Sequence, residues 1–364
     1  MKKKSLWAII ALAGLTISSC TNDEVIPNTS VDNAIEFGTY LGRDAQTRGS
    51  VLNNDVSTGL SHQGFGVFAY YTDNGDFKQE ESPLNYMKNT MVTSPNGTDW
   101  TYSPVKYWPN EATDKLSFFA YAPYNSTYSP TTTGDPILEF TVAREVTNQI
   151  DLVVADATNL KNLTKQSVTD KVLFNFKHVL SRVGFKVEAV IDQTNEADGT
   201  NPDTDSQTNG IAEGTVISVQ EVELIGDFNT AAKINLNSSA WSNGTTATTS
   251  YSLGTDGFTD AAKAVAVTKA QLNKASEYMM LIPVETYIKI RVKYTVTTTD
   301  YSLTDGKSEV VNDITSAEIP FTFAQGKAYD FVLHLGLTSV KLSANVTNWD
   351  TEEDIVVNVP MNNN

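Results

Sequence analysis

The sequence predicts an all-β protein that is long enough for two domains. Of its 364 residues, 40% are apolar, so each domain can bury a core of its own. Fifteen Tyr, fifteen Phe and frequent Thr favour pleated strands over helices. Short apolar runs alternate with turn-rich stretches such as residues 94–97 and 129–134. Short strands joined by loops of this kind are typical of β-sandwiches.

The charge and the cysteine content exclude several classes of protein. Lys and Arg number 26 against 43 Asp and Glu, which gives a net charge of −17. This balance argues against a nucleic-acid partner, because phosphate contacts need a clustered basic surface. A single Cys excludes an internal disulfide framework, and three scattered His are too few for a His/Cys metal cluster. We therefore expect no metal, no cofactor and a fold stabilised by packing.

The chain begins with a predicted targeting segment, residues 1–19. Three Lys precede an apolar run of 12 residues, 6–17, and two Ser then lead to Cys20, a pattern typical of a secretory signal. The apolar run is too short to span a bilayer as a stable helix. Residues 17–20 resemble a relaxed bacterial lipobox, so Cys20 is predicted to become a lipid-bearing N-terminus. The alternative is ordinary signal cleavage beside a Cys that carries no lipid.

The lipid is the predicted attachment to the membrane. Removing residues 1–19 removes three Lys and no acidic residue, so the exported chain is even more acidic and an anionic membrane surface would repel it. Acyl chains, at about 0.8 kcal/mol per buried CH₂, would then have to hold the protein.

The first predicted strand lies at residues 34–41, after a polar tether at 21–33. Ile35, Phe37, Thr39 and Leu41 share one face of it, and a flexible basic loop, 42–50, follows. Apolar runs predict further strands at 65–71, 116–121 and 150–155.

The predicted buried face changes parity near residue 180. Large apolar residues occupy even positions in 172–178 and odd positions in 181–189. Because side chains alternate strictly along a strand, the switch indicates a bulge, a bend or a change of sheet. We place a domain boundary there, between an N-terminal domain, 49–180, and a C-terminal domain, 181–364.

Strands continue downstream of a polar acidic loop at residues 192–210. The run 287–296 alternates apolar with basic residues, which is typical of a sheet with one wet face and one packed face. Helix is expected only as short turns near 83–91 and 268–276. The other predicted strands of this half are 216–225, 278–282, 319–323, 329–337, 340–346 and 355–359.

No catalytic motif emerges from the sequence. Gly64-Phe65-Gly66 has the letters of a dinucleotide fingerprint, but it runs straight into a strand, so we interpret the glycines as relieving crowding in a sheet. Asp203 opens a calcium-like loop, yet Thr208 stands where the sharp turn needs Gly. A nucleophile elbow, a His-Glu-x-x-His pair and a P-loop are all missing from the sequence, and no acid pair is singled out for glycoside hydrolysis. We predict that the protein is not an enzyme.

The aromatic residues and His178 have simpler interpretations. His178 shares a strand face with Phe174 and Phe176, which predicts a buried imidazole with a hydrogen-bond partner. Trp108 and Trp349 adjoin strands and are predicted to be core residues, whereas Trp241, in a predicted loop at 237–249, is the candidate for an exposed sugar-stacking platform.

Three segments of the sequence form a recognisable set. They are Tyr107-Trp108-Pro109 leading to Leu116-Ser117-Phe118-Phe119-Ala120-Tyr121-Ala122-Pro123, Phe174-Asn175-Phe176-Lys177-His178-Val179-Leu180, and Val346-Thr347-Asn348-Trp349-Asp350. Together with the lipobox and the segment 37–48, they resemble the fimbrillin family of type V pilus subunits from Gram-negative bacteria, and they span most of the chain in the family's order. The resemblance implies two transthyretin-like Greek-key β-sandwich domains in tandem, export as a lipidated outer-membrane precursor, and assembly into a fimbrium on the cell surface.

The resemblance also implies proteolytic processing and strand exchange. A protease cuts such precursors behind an Arg, and Arg48, followed by Gly49, matches that site best, with Arg43 as second choice. Residues 20–48 would then be a lipidated pro-segment whose strand, with Ile35, Phe37 and Leu41, is removable. A strand from another subunit would fill the groove. The candidate donor strand in this chain carries Ile355, Val357 and Val359; the alternative is that this segment is the last strand of its own sandwich.

The leading functional prediction is a structural or adhesive pilus subunit. Its expected partners are other pilus subunits, a processing protease, and host or bacterial surface glycans or proteins. The alternative is a monomeric, surface-anchored glycan-binding lipoprotein that never sheds its first strand.

Overall fold

The computed structural model describes residues 33–41, 57, 59–190, 215–337, 340–349 and 351–359. This part of the chain is built almost wholly of β-strands, which confirms the all-β prediction. In chain order the strands are β1 (Phe37–Leu41), β2 (Phe65–Tyr71), β3 (Met87–Thr93), β4 (Thr101–Tyr102), β5 (Leu116–Ala122), β6 (Ile137–Thr141), β7 (Val153–Ala155), β8 (Val172–His178), β9 (Ser181–Ala189), β10 (Thr215–Asn235), β11 (Ala240–Gly254), β12 (Ala270–Gln271), β13 (Met279–Leu281), β14 (Val284–Thr299), β15 (Lys307–Thr315), β16 (Ile319–Phe323), β17 (Lys327–Leu335), β18 (Val340–Asn348) and β19 (Thr351–Val359). The helices are α1 (Leu60–Gln63) and the 3₁₀ turns Val146–Asn148, Ala157–Asn159, Lys165–Ser167, Thr255–Gly257 and Asp260–Ala262.

The described strands form three sheets. The first has the order β1-β8-β7-β5-β2-β3-β4, and β1 runs parallel to β8 at its edge. The second has the order β11-β10-β14-β15, with β6 also on β10 and β16 also on β14. The third has the order β12-β9-β17-β18-β19, with β13 also on β9.

Two apolar clusters flank the first sheet. In β2, Phe65, Val67 and Ala69 belong to one cluster, and Phe68 and Tyr70 to the other. Both faces of β2 and β5 are therefore buried, which explains why these strands are continuous apolar runs in the sequence rather than alternating ones. The cluster that contains Phe68 and Tyr70 continues into the second and third sheets.

The parity switch near residue 180 is a change of sheet. β8 belongs to the first sheet and buries Phe174 and Phe176, whereas β9 belongs to the third and buries Phe185 and Val187. The proposed boundary at 180 and the two transthyretin-like domains stay predictions. β6, which precedes the boundary, pairs with β10, which follows it.

Both helical turns expected from the sequence are wrong. Residues 87–93 form β3, which is antiparallel to β2 and buries Met87 and Val92. Residues 270–271 form β12, which is antiparallel to β9. In both places, pairing with a buried strand outweighs the weak local preference for helix. The α-helix that the described ranges contain is α1.

The glycines of the fingerprint-like motif serve the sheet, as predicted. A Cβ on Gly66 would lie 2.4 Å from the ring of Tyr121, so only Gly allows that side chain to cross the strand. Gly64 has a φ of 71°, a conformation that favours Gly, and ends α1 just before β2 begins.

Candidate functional site

The first strand fills a core at the edge of the first sheet. Ile35, Phe37 and Leu41, the predicted removable side chains, are all buried, at 1%, 1% and 5% exposure. The Phe37 ring lies 5.4 Å from the ring of Phe174 and 6.0 Å from that of Phe118, measured between centroids. These side chains are therefore part of the core even though β1 lies at the edge of its sheet.

Only one described strand pairs with β1 along its length. Phe37 lies opposite Val172 and Leu41 opposite Phe176, both in β8. Because β1 is terminal in the sheet, its departure would break no other pairing but would leave the outer edge of β8 unpaired.

A second contact holds the chain just before β1. We call residues 102–108 the clasp. The Trp108 N–H donates to the Asn33 carbonyl at 2.8 Å, and the Asn33 side-chain amide donates to the Trp108 carbonyl at 2.9 Å. The Ile35 N–H donates to the Lys106 carbonyl at 2.9 Å, and Ala34 forms an antiparallel bridge with Tyr107.

The Tyr102 hydroxyl ties the clasp to the strand. It donates to the Ile35 carbonyl at 2.7 Å and accepts from the Lys106 N–H at 3.3 Å. Its ring lies 5.1 Å from that of Phe37. Burial raises the pKa of Tyr102 to about 12, since a phenolate would be poorly solvated there, so the hydroxyl keeps its proton at neutral pH.

Two lysines flank this edge. The Lys171 Nζ lies 3.9 Å from a carboxylate oxygen of Glu36, which precedes β1. The Lys106 Nζ lies over the ring of Tyr86, 5.3 Å from its centroid. Two Lys side chains, one of them next to Glu36, therefore lie along the edge that holds the first strand.

The candidate donor strand lies in β19, at the edge of the third sheet. It is antiparallel to β18, with Val359 opposite Leu342 and Ile355 opposite Val346. This pairing is the position that the alternative interpretation expects, and the donor role stays a prediction.

His178 and Trp349 connect the first sheet to the hairpin that β18 and β19 form. His178 is 8% exposed, and its Nδ1 lies 3.0 Å from a carboxylate oxygen of the buried Asp151. Its ring stacks on Trp349 with 4.1 Å between centroids. Trp108 and Trp349 are buried as predicted, at 3% and 5% exposure.

The prediction that Trp241 is an exposed platform is wrong. Trp241 lies in β11 rather than in a loop, and it is half-buried against Phe140, 5.8 Å between ring centroids. Its indole N–H donates to the Val179 carbonyl at 2.8 Å. The Thr- and Ser-rich sequence around it favours a loop, but pairing with β10 makes it a strand.

Several predicted residues lie outside the described part of the chain. They are Cys20, Arg43, Arg48, Gly49 and the calcium-like segment at 203–208. Within the described ranges, no helix is long and apolar enough to cross a bilayer. There too, no three His, Cys, Asp or Glu side chains converge as metal ligands.

The sequence did not reveal the clasp. Its bonds are made chiefly by backbone groups and by one Tyr hydroxyl, and neither leaves a residue pattern. The Tyr107-Trp108-Pro109 motif marked the right segment, but only through its resemblance to a family.

The fold and this edge define an all-β protein of three sheets whose first strand is terminal in its sheet. A fimbrial protein from Bacteroides vulgatus ATCC 8482 shares the fold, with a TM-score of 0.63 and 21% identity, over 90% of this chain and 99% of that one. The chain is also 26% identical to fimbrium subunit Fim1C of Phocaeicola vulgatus over 401 aligned residues, covering 99% of this chain and 100% of that protein. The model of the fimbrillin-like family matches residues 53–349. This chain belongs to the fimbrillin-like family, as its sequence motifs indicated.

Proposed function

We propose that the protein is a structural or adhesive pilus subunit that is exported as a lipoprotein, cut behind Arg48 and assembled by donor-strand exchange. One observation carries the proposal: Ile35, Phe37 and Leu41 are buried in a segment whose strand, β1, is terminal in its sheet and pairs, among the described strands, with β8 alone. Such a strand can leave without disrupting the rest of its sheet. Family membership supports the role of a pilus subunit.

The energetics favour replacement of the strand over a permanently open groove. Burial of three large apolar side chains, at roughly 1.5 to 3 kcal/mol each, amounts to about 5 to 9 kcal/mol. This is comparable to the whole stability of a domain. An opened subunit is therefore unstable or prone to aggregate until another strand docks, and this instability drives assembly.

The proposal also covers how the precursor is anchored and how it is cut. Lipid on Cys20 anchors it in the outer membrane, and a protease then cuts between Arg48 and Gly49. Cleavage removes the anchor and the first strand together, so anchored precursor becomes free polymer. Its partners are other pilus subunits, and an adhesive subunit would also bind host or bacterial surface glycans or proteins. The role is structural and needs no active site.

Controlled cleavage tests the proposal. The exported chain without lipid is treated with an arginine-specific protease and followed by gel electrophoresis without boiling. We expect a ladder of oligomers from the wild type and none from the double variant Arg43→Ala/Arg48→Ala, which keeps its first strand because neither candidate site behind that strand can be cut. A wild-type product that is cut after Arg48, loses residues 21–48 and stays monomeric would contradict the proposal, and binding of that monomer to polysaccharide would favour the glycan-binding alternative.

A further inference from the structure

We infer that the docking site for an incoming strand has two parts, the groove that the first strand fills and the clasp. The clasp binds the acidic segment that precedes the incoming strand of a second copy of this chain. This inference rests on the proposed function. It adds the residues that select the incoming strand.

Departure of the first strand leaves the clasp without its partners. The Lys106 carbonyl, the Trp108 N–H and carbonyl, and the Tyr102 hydroxyl all bond to residues 33–35. Polar groups at a partly buried edge are costly to leave unpaired. An incoming strand that extends beyond the groove, past the position of Ile35, would satisfy the Lys106 carbonyl, the Trp108 N–H and the Tyr102 hydroxyl with its own backbone.

The spacing of the groove identifies which segment fits. Inward positions recur every second residue, at 35, 37, 39 and 41, and all but the third hold large apolar side chains. Residues 355, 357, 359 and 361 are Ile, Val, Val and Met, so they match this pattern when Ile355 takes the place of Ile35. A strand docked parallel to β8, as β1 is, then extends towards the clasp with residues 350–354.

Charge supports this alignment. Residues 350–354 carry four carboxylates, those of Asp350, Glu352, Glu353 and Asp354. In the aligned strand, Glu353 and Asp354 take the positions of Asn33 and Ala34, opposite Trp108 and Tyr107 and next to the position that bonds to Lys106.

The two lysines of this edge complement those carboxylates. Lys106 belongs to the clasp. Lys171 loses Glu36 when β1 leaves, and position 34 shares the outward face of position 36, so Asp354 restores an acidic neighbour. Two copies of a chain with a net charge of −17 repel each other at a distance, so local complementarity of this kind sets the register of docking.

A peptide-binding experiment with exchanged charges tests the inference. The cut wild-type subunit, freed of residues 21–48, is titrated with a fluorescent peptide of residues 350–361. The same titration uses a second peptide in which Glu353 and Asp354 are replaced by Lys. Lys106→Glu is compared with Lys269→Glu, which changes the net charge equally at an exposed site beside β12.

We expect Lys106→Glu to weaken binding of the natural peptide roughly five- to tenfold at low salt, and Lys269→Glu to leave it almost unchanged. The charge-reversed peptide should bind Lys106→Glu better than the wild type. Tyr102→Phe, which removes the hydroxyl alone, should weaken both peptides equally. Unfolding midpoints of the uncut variants confirm that each one folds.

Two failures are distinguishable. Equal binding of the natural peptide to Lys106→Glu and Lys269→Glu, or a wild type that forms ladders without binding either peptide, would overturn the inference while strand exchange stands. A cut wild type that neither forms ladders nor binds peptide would overturn the proposed function itself.

Discussion

At the scale of single residues, Trp349 connects the first sheet to the C-terminal hairpin. Its ring stacks on His178, and the guanidinium carbon of Arg182 lies 5.4 Å from its centroid. Its backbone N–H donates to the Gly326 carbonyl at 3.0 Å. One side chain thus packs against two sheets at the point where the chain turns from β18 to β19.

Replacing this side chain should be costly. We expect Trp349→Ala to lower the free energy of unfolding by about 3 to 5 kcal/mol, because it removes a buried aromatic ring and leaves a cavity. Chemical denaturation of the precursor measures the loss. Tyr301→Ala, at a site that is 93% exposed, is the matched control and should change stability by less than about 0.5 kcal/mol. Equal midpoints for the two variants would contradict the packing described.

Buried tyrosines predict how stability depends on pH. Burial raises the pKa values of Tyr102, Tyr251 and Tyr294 to about 12 from an ordinary 10.0. Between those values the unfolded chain has lost protons that the folded chain keeps, so stabilisation is complete below pH 10 and is lost as pH rises towards 12. Urea midpoints should fall over this range, and less steeply in Tyr102→Phe than in a Tyr301→Phe control. If the urea midpoints of the two variants fall equally steeply with pH, the pKa of Tyr102 is not raised by burial.

Cys20 carries a prediction of its own. Cys20→Ala should lose lipid labelling and membrane association, because it is the one thiol in the chain and follows a short apolar signal. Metabolic labelling with a fatty-acid analogue and fractionation of cell membranes measure both effects. A variant that still carries acyl chains in the outer membrane would rule out the anchor.

At the scale of elements, the last strand offers a sharp test of the donor role. Val357→Asp places a charge where the donor interpretation needs an apolar side chain, so precursor should fold while assembly fails. Asn358→Asp adds the same charge at the neighbouring position, which alternation assigns to the other face of a docked strand, and this variant should assemble. Circular dichroism and the cleavage ladder provide the two readouts. If Val357→Asp assembles normally, or fails to fold as a precursor, the donor lies elsewhere.

Sequence alone predicted the buried elements well. β2, β5, β8 and β9 emerged from their apolar patterns because each buries at least one face against a core. β11 and β15 were missed, since edge strands with mostly exposed, polar side chains carry no such pattern and depend on a partner strand.

The candidate site was predicted in part. The inward residues of β1 follow from strict alternation, and their burial matches the expectation. The clasp could not be predicted, because most of its bonds to residues 33–35 join backbone groups, and the Asn33 amide and the Tyr102 hydroxyl that complete it form no residue pattern.

At the scale of the whole molecule, the first and the last described strands lie in different sheets. β1 closes the first sheet at one edge, and β19 lies at an edge of the third. In the proposed assembly, each copy accepts a strand at the first edge and gives one from the other. Such a contact is head-to-tail, and where its rotation does not close a ring it builds a filament.

In the proposed assembly, a subunit enters the polymer only after it has lost its first strand, and the N-terminus of the assembled subunit records that loss. Mass spectrometry of polymers sheared from the cell surface gives the N-terminal residue of the assembled subunit. We expect this residue to be Gly49, and we expect Arg48→Ala cells to keep a lipid-bound, unpolymerised precursor. Surface polymers whose subunits still begin at Cys20 would show that assembly does not require loss of the first strand.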